Sequence, residues 1–241
     1  MDTLQNKNVG DIVKENFRTA TVFKEYGIDF CCGGQVTLAD ACEQKHIQSE
    51  DVIQRINTIS DKSVPAGFDF DNWKLGFLAD YIVNIHHQFV SANIPLILQY
   101  AEKVENVHSN DHPEVAEINN LFKEAANELL AHMQKEEKIL FPLIKSLENA
   151  VYEPLADKTA HNKGIGNPIR VMVMEHENVG NILKEISLLS NEYQIPEGAC
   201  NTFRVFYGKL KEFEDDLHQH IHLENNILFP KAIALENSVV N

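Results

Sequence analysis

From Asp71 onward, apolar residues recur at three- and four-residue intervals over four long stretches, about 72–107, 113–148, 168–190 and 199–236. That period predicts amphipathic helices, each burying one stripe. The breaks between them carry helix start signals. Pro113 suits a first helical turn, Asn167 precedes Pro168 after a long loop (149–167), and IPEG interrupts the chain before the fourth stretch. Pro95 falls inside the first stretch and predicts a kink. No strand pattern competes with these, so residues 71–241 read as an up-down-up-down four-helix bundle. Residues 1–60 read as a smaller helical unit. Val9, Ile12, Val13, Phe17, Val22, Phe23 and Tyr26 have helical spacing, Gly27 is a stop, and Thr37 and Ser49 can cap two further helices. Pro and Gly cluster among polar residues in DKSVPAGFDF, which marks 61–70 as a linker. The predicted class is all-α.

The second and fourth stretches share more than a period. Residues 132–142 read HMQKEEKILFP and residues 220–230 read HIHLENNILFP, so that His-x-x-x-Glu-x-x-x-Leu-Phe-Pro occurs twice, 88 residues apart. His and Glu at i and i+4 lie one turn apart on one helix face. The same line holds Glu128 in one copy and Asp216 in the other. Each copy is preceded by a histidine on an apolar stripe. One is His176, whose face carries Ile169, Met172, Val173, Val179 and Leu183. For the first helix the choice lies between neighbours. His86 shares its face with Ala79, Ile82, Phe89 and Val90, and His87 with Asp80, Asn84 and Ser91. The apolar face selects His86, although His87 fits the repeat offset slightly better.

Four histidines and two glutamates in a duplicated frame point to metal chemistry. Imidazole with carboxylate suits iron, zinc or manganese. If Glu136 and Glu224 both bridge, His86, His132, His176 and His220 complete two neighbouring sites. Two six-coordinate ions offer about twelve positions; these side chains and one oxo or hydroxo bridge fill about ten. The remainder is open to solvent or a small molecule, unlike a closed structural site. Glu128, Glu175 and Asp216 are candidates for orienting the ligands or lining an access path. His87, His108, His112, His161, His218 and His222 read as surface residues, His218 and His222 because they sit two positions from His220 and point away from it, and Glu137 lies off the ligand face.

Composition narrows the partners. The formal charge of −15 argues against nucleic acid or an anionic membrane and favours the cytosol. No apolar run approaches the ~20 residues of a membrane span. Four cysteines are too few for a disulfide scaffold. Adjacent Cys31 and Cys32, in a glycine-rich turn, could bind a metal or exchange electrons; Cys42 and Cys200 read as small packing residues.

The pieces VGDIV, GIDFCCGG, HMQKEEKILFP, MEHE and HIHLENNILFP together resemble the iron–sulfur cluster repair di-iron proteins (the RIC family, also called ScdA or YtfE). These join a small ScdA-type N-terminal domain to a haemerythrin-like bundle. The resemblance implies two irons with an oxo or hydroxo bridge, terminal ligands His86, His132, His176 and His220, and bridging Glu136 and Glu224. It matches Glu128 and Glu175 to acids thought to line a route to the metals. It implies a cytoplasmic stress protein that restores iron–sulfur clusters damaged by nitric oxide or oxidants by supplying iron, a donor rather than an enzyme. Its partners would be damaged iron–sulfur proteins, with nitric oxide or oxygen at open iron positions. The rival readings are a nitric oxide or peroxide reductase and an oxygen-binding or sensing protein; the sequence leaves open whether the chain forms a homodimer.

Overall fold

The computed structural model describes residues 2–60, 69–152 and 164–240. The described residues are helical apart from turns and one isolated bridge between Asn8 and Thr37. Most of the expected linker 61–70 and much of the loop 149–167, with His161, lie outside them. The N-terminal unit comprises α1 (Asp2–Gln5), α2 (Val9–Glu15), α3 (Thr19–Glu25), α4 (Leu38–Gln44) and α5 (Ser49–Ser60). The apolar pattern over residues 9–26 is carried by two helices because Asn16 leaves the helical region at φ −148°. Its side-chain oxygen accepts from the Arg18 amide instead. Gly27 ends α3 at φ +62°, a conformation that suits glycine. The Thr37 hydroxyl caps α4 by accepting from the Asp40 amide at 3.1 Å.

Four rods form the bundle. The first is α6 (Leu75–Ile82) running through Val83–His87 into α7 (Gln88–His108), which continues past Pro95. The second is α8 (Glu114–Lys135), Glu136–Leu140 and α9 (Phe141–Tyr152). The third is α10 (Gly166–Leu189), and the fourth is α11 (Asn201–Leu223), Glu224–Leu228 and α12 (Phe229–Val240). Short connections and end-to-start packing, as of α6 on α9, make sequential neighbours antiparallel. No helix among the described residues is long and apolar enough to cross a membrane.

Three rods contain a π-helical turn, at Val83–His87, Glu136–Leu140 and Glu224–Leu228. There the Phe141 amide bonds the Glu136 carbonyl and the Phe229 amide bonds the Glu224 carbonyl, five residues back. Pro142 and Pro230 follow at once. A proline ring crowds the carbonyl four residues before it, and the wider turn relieves that clash. In the first rod the Asn84 side chain occupies the ladder by donating to the Asp80 carbonyl at 2.7 Å.

The N-terminal unit shares one continuous core with the bundle, Val22, Phe23 and Phe30 joining Phe206, Phe213 and Leu217. Its CCGG turn is held by Asn226, whose Nδ2 donates to the carbonyls of Phe30 and Cys31 at 3.3 Å each. The approach is close enough to require glycine: a Cβ on Gly10 would lie 2.7 Å from Asn226 Oδ1. Lys24 adds an ion pair to Asp215 at 2.9 Å.

Candidate metal centre

Two groups of side chains converge midway along the rods. His87, Glu136, His220 and Glu224 form one; His132, Glu136, His176 and Glu224 form the other. Within each, the ligand-type atoms lie within 4.8 Å of one another, and every residue is buried. Both glutamates belong to both groups. Glu224 sets Oε1 3.1 Å from His220 Nε2 and Oε2 3.0 Å from His176 Nε2. Glu136 Oε2 is 3.2 Å from His132 Nε2 and 3.4 Å from His87 Nε2. The paired imidazoles face each other through their Nε2 atoms, at 2.9 Å for His176 with His132 and 3.2 Å for His87 with His220.

Hydrogen bonding accounts for only part of this arrangement. Glu136 Oε1 and Oε2 and Glu224 Oε2 are buried without a hydrogen-bond partner, although imidazole nitrogens stand close by. Lone pairs directed at common points, rather than at protons, are what a pair of cations requires. The donor set, four imidazoles and two shared carboxylates, fits transition-metal ions.

The outer faces of the imidazoles support the same orientation. His132 Nδ1 meets Glu175 at 2.9 Å, His87 Nδ1 meets Glu137 at 2.8 Å, and His176 Nδ1 meets Asn225 at 2.9 Å. An acceptor on Nδ1 fixes the tautomer that leaves the Nε2 lone pair for a metal. Burial opposes charge on His132, but the carboxylates of Glu136, Glu224 and Glu175 outweigh it and raise its pKa to about 9. Burial works against the charged form of both glutamates too, yet Glu224 is held well below the usual carboxylate range by His220 and His176. His220 itself is lowered, by burial first.

Five of the six side chains named from the sequence, His132, Glu136, His176, His220 and Glu224, lie in these groups. His86 does not. Its Nδ1 pairs with Asp216 Oδ1 at 3.0 Å, and His87 stands in its place. The cause is the π turn, which lodges one residue more than an α-helical count allows and carries the Ala79–Ile82 face onto His87. The same turn brings Glu137 back to His87. Glu128 bonds the Asn178 amide at 2.6 Å, and Glu175 also binds Lys135. Sequence reasoning overlooked Asn225 and Asn226, which follow Glu224 as Glu137 follows Glu136; the aligned copies of the motif were the signal for the first of them.

His222, expected on the surface, is 1% exposed, and the His218 Nδ1 is buried without a partner. Their rings flank Phe30 at 5.8 and 6.0 Å, so the N-terminal unit is what covers them. Burial lowers both to pKa about 4. Cys31 and Cys32 sit over α10 with their sulfurs 3.9 Å apart, and Cys32 Sγ is 3.7 Å from the His176 carbonyl. With Asp29 they form a third cluster of ligand-type groups. The Cys31 thiol is pushed up by its bond to Cys32, by burial and by Asp29. Cys42 is buried, as expected of a packing residue. Cys200 is exposed at the start of α11, where amide bonds from Phe203 and contact with His108 lower its pKa.

Comparison with known proteins agrees with this architecture. Residues 78–232 match the haemerythrin HHE cation binding domain, and residues 5–60 match a domain of unknown function (DUF542, ScdA_N). A probable iron–sulfur cluster repair protein of Haemophilus influenzae is 36% identical, covering 88% of this chain and 90% of that protein. The iron–sulfur cluster repair protein YtfE of Dickeya chrysanthemi is 33% identical over 96% of this chain and 99% of that one. ScdA of Staphylococcus haemolyticus is 30% identical over 92% and 96%.

Proposed function

The chain belongs to the haemerythrin-domain family of iron–sulfur cluster repair proteins, and from that kinship we propose that it is a di-iron protein restoring iron–sulfur clusters damaged by oxidants or nitric oxide, with damaged iron–sulfur proteins as its partners. The observation that carries the reading is the sharing of Glu136 and Glu224 between two four-residue ligand groups. His87 and His220 would hold one ion, His132 and His176 the other, and the two carboxylates would bridge. Two iron ions held there, with an oxo or hydroxo bridge between them, would supply exchangeable iron for a damaged cluster.

The chain's own residues do the rest. Glu137, Asn225 and Glu175 keep the Nε2 lone pairs aimed inward. The buried walls exclude bulk water, and the ionised glutamates offset the positive charge of a bound pair. Cys31 and Cys32 lie against the His176 backbone, a position from which thiolates could receive a released iron or meet the client. Its hydrogen bond to Cys32, burial and Asp29 push the Cys31 thiol up, so loss of its proton to an incoming cation would accompany capture.

The test uses anaerobic, iron-loaded full-length chain and a purified iron–sulfur enzyme inactivated by nitric oxide. Recovery of enzyme activity, matched by loss of iron from this chain, is expected. Catalytic consumption of nitric oxide or peroxide without recovery would instead establish a reductase. Changing Cys31 and Cys32 together to Ser should lower recovery while bundle iron stays; undiminished recovery removes the thiols from the scheme.

A further inference from the structure

The repeat carries Glu128 onto Asp216, His132 onto His220 and Glu136 onto Glu224. It also pairs His176 with His87, and therefore the residues before them, Glu175 with His86. The two ends of the centre are thus built from matching positions with different chemistry. At the His132 end every such group is engaged: Glu175 takes the His132 Nδ1 and binds Lys135, and Glu128 is bonded by Asn178.

At the His220 end the matching groups, His86 and Asp216, bond each other and leave the His220 ring without an outer partner. The His86 ring lies nearly parallel to that of His220, 12° apart in plane, with centres 5.7 Å apart. Its Nδ1 is held by Asp216, the same dressing that prepares the ligand imidazoles. Three buried atoms have no partner: His220 Nδ1, His86 Nε2 and Asp216 Oδ2. His86 is 1% exposed, so its bare nitrogen is not served by bulk solvent. Asp216, however, lines a cavity of about 760 Å³ between the N-terminal unit and α11. The lysines on its wall, Lys24 and Lys211, are both paired with Asp215, which leaves the Asp216 carboxylate to His86.

We propose that His86 and Asp216 form a staging site for a divalent transition-metal ion passing between the His220 end of the metal centre and this cavity. The ion would exchange ligands one at a time, from His220 and Glu224 to His86 Nε2, then to Asp216 Oδ2 as the contact between Asp216 and His86 Nδ1 opens, and then to water in the cavity under α3. The route opens beneath the N-terminal unit. The inference rests on the di-iron reading above.

Its test measures iron release, not repair. Reduced, iron-loaded full-length chain is mixed anaerobically with a phenanthroline-type ferrous chelator. Asp216→Asn and His86→Phe should each slow release about tenfold with iron content and absorption spectrum unchanged. Thr21→Trp, which narrows the cavity without touching a ligand, should slow it too, and decides the matter if His86→Phe disturbs neighbouring His87. Release at the wild-type rate from Asp216→Asn and Thr21→Trp overturns the staging site and leaves the di-iron reading standing. A wild-type chain that takes up no iron overturns both.

Discussion

The two halves of the bundle repeat one motif and finish it differently. In the first, His132 meets Glu175, itself paired with Lys135, and the carboxylates of Glu136, Glu224 and Glu175 outweigh burial and raise its pKa to about 9. In the second, His220 is shut away from water with a bare Nδ1, and burial favours its neutral form. The difference teaches that duplicating ligands does not duplicate their electrostatics, because the groups behind them come from separate helices. Ions at the two ends would be held with unequal strength.

The strongest blow to the comparison is to remove what both halves share. Glu224→Ala should strip both ions, with affinity falling more than about 100-fold, beyond the cost of losing an outer partner; elemental analysis after desalting reads it. A one-ion loss would mean that the halves are independent. His87→Ala comes next and should remove one ion, whereas His86→Ala keeps both. Metal content of the pair tests the register set by the first π turn.

Smaller effects sharpen the asymmetry. Glu137→Ala and Asn225→Ala, twins in the repeat, should each weaken binding by about tenfold. The Glu137 change should cost more because it removes a charge-assisted bond; chelator competition ranks them. In the metal-free chain the raised pKa of His132 contributes stability that is fully present below pH about 6.5. It is lost as pH rises through about 9. Glu175→Gln should narrow that window, as read by denaturant unfolding across pH. Metal binding should tighten over the same interval, because the ion displaces that proton. His218 and His222 carry the opposite sign. Their pKa values, lowered to about 4, give stability present above pH about 6.5 and lost as pH falls toward 4. Acid should therefore loosen the N-terminal unit first, seen as faster labelling of Cys32.

Much of this was legible in the chain. The helical period and the repeated His-x-x-x-Glu predict a bundle with histidines and glutamates gathered at its middle, because period and identity survive whatever packs around them. The apolar face points to His86 and the structure to His87, because no proline announces the turn at Val83–His87 and a face counted at 3.6 residues per turn slips there by one. The repeat offset, which leaned toward His87, was the better guide. His218 and His222 looked solvated because one helix's pattern cannot reveal what another unit lays over it.

Three of the four rods are wound loosely at one height, the level of the clustered histidines and glutamates. A bundle loosened at a single storey would bend there before it melts anywhere else. Its upper and lower halves would then act as two stiff collars on a shared joint.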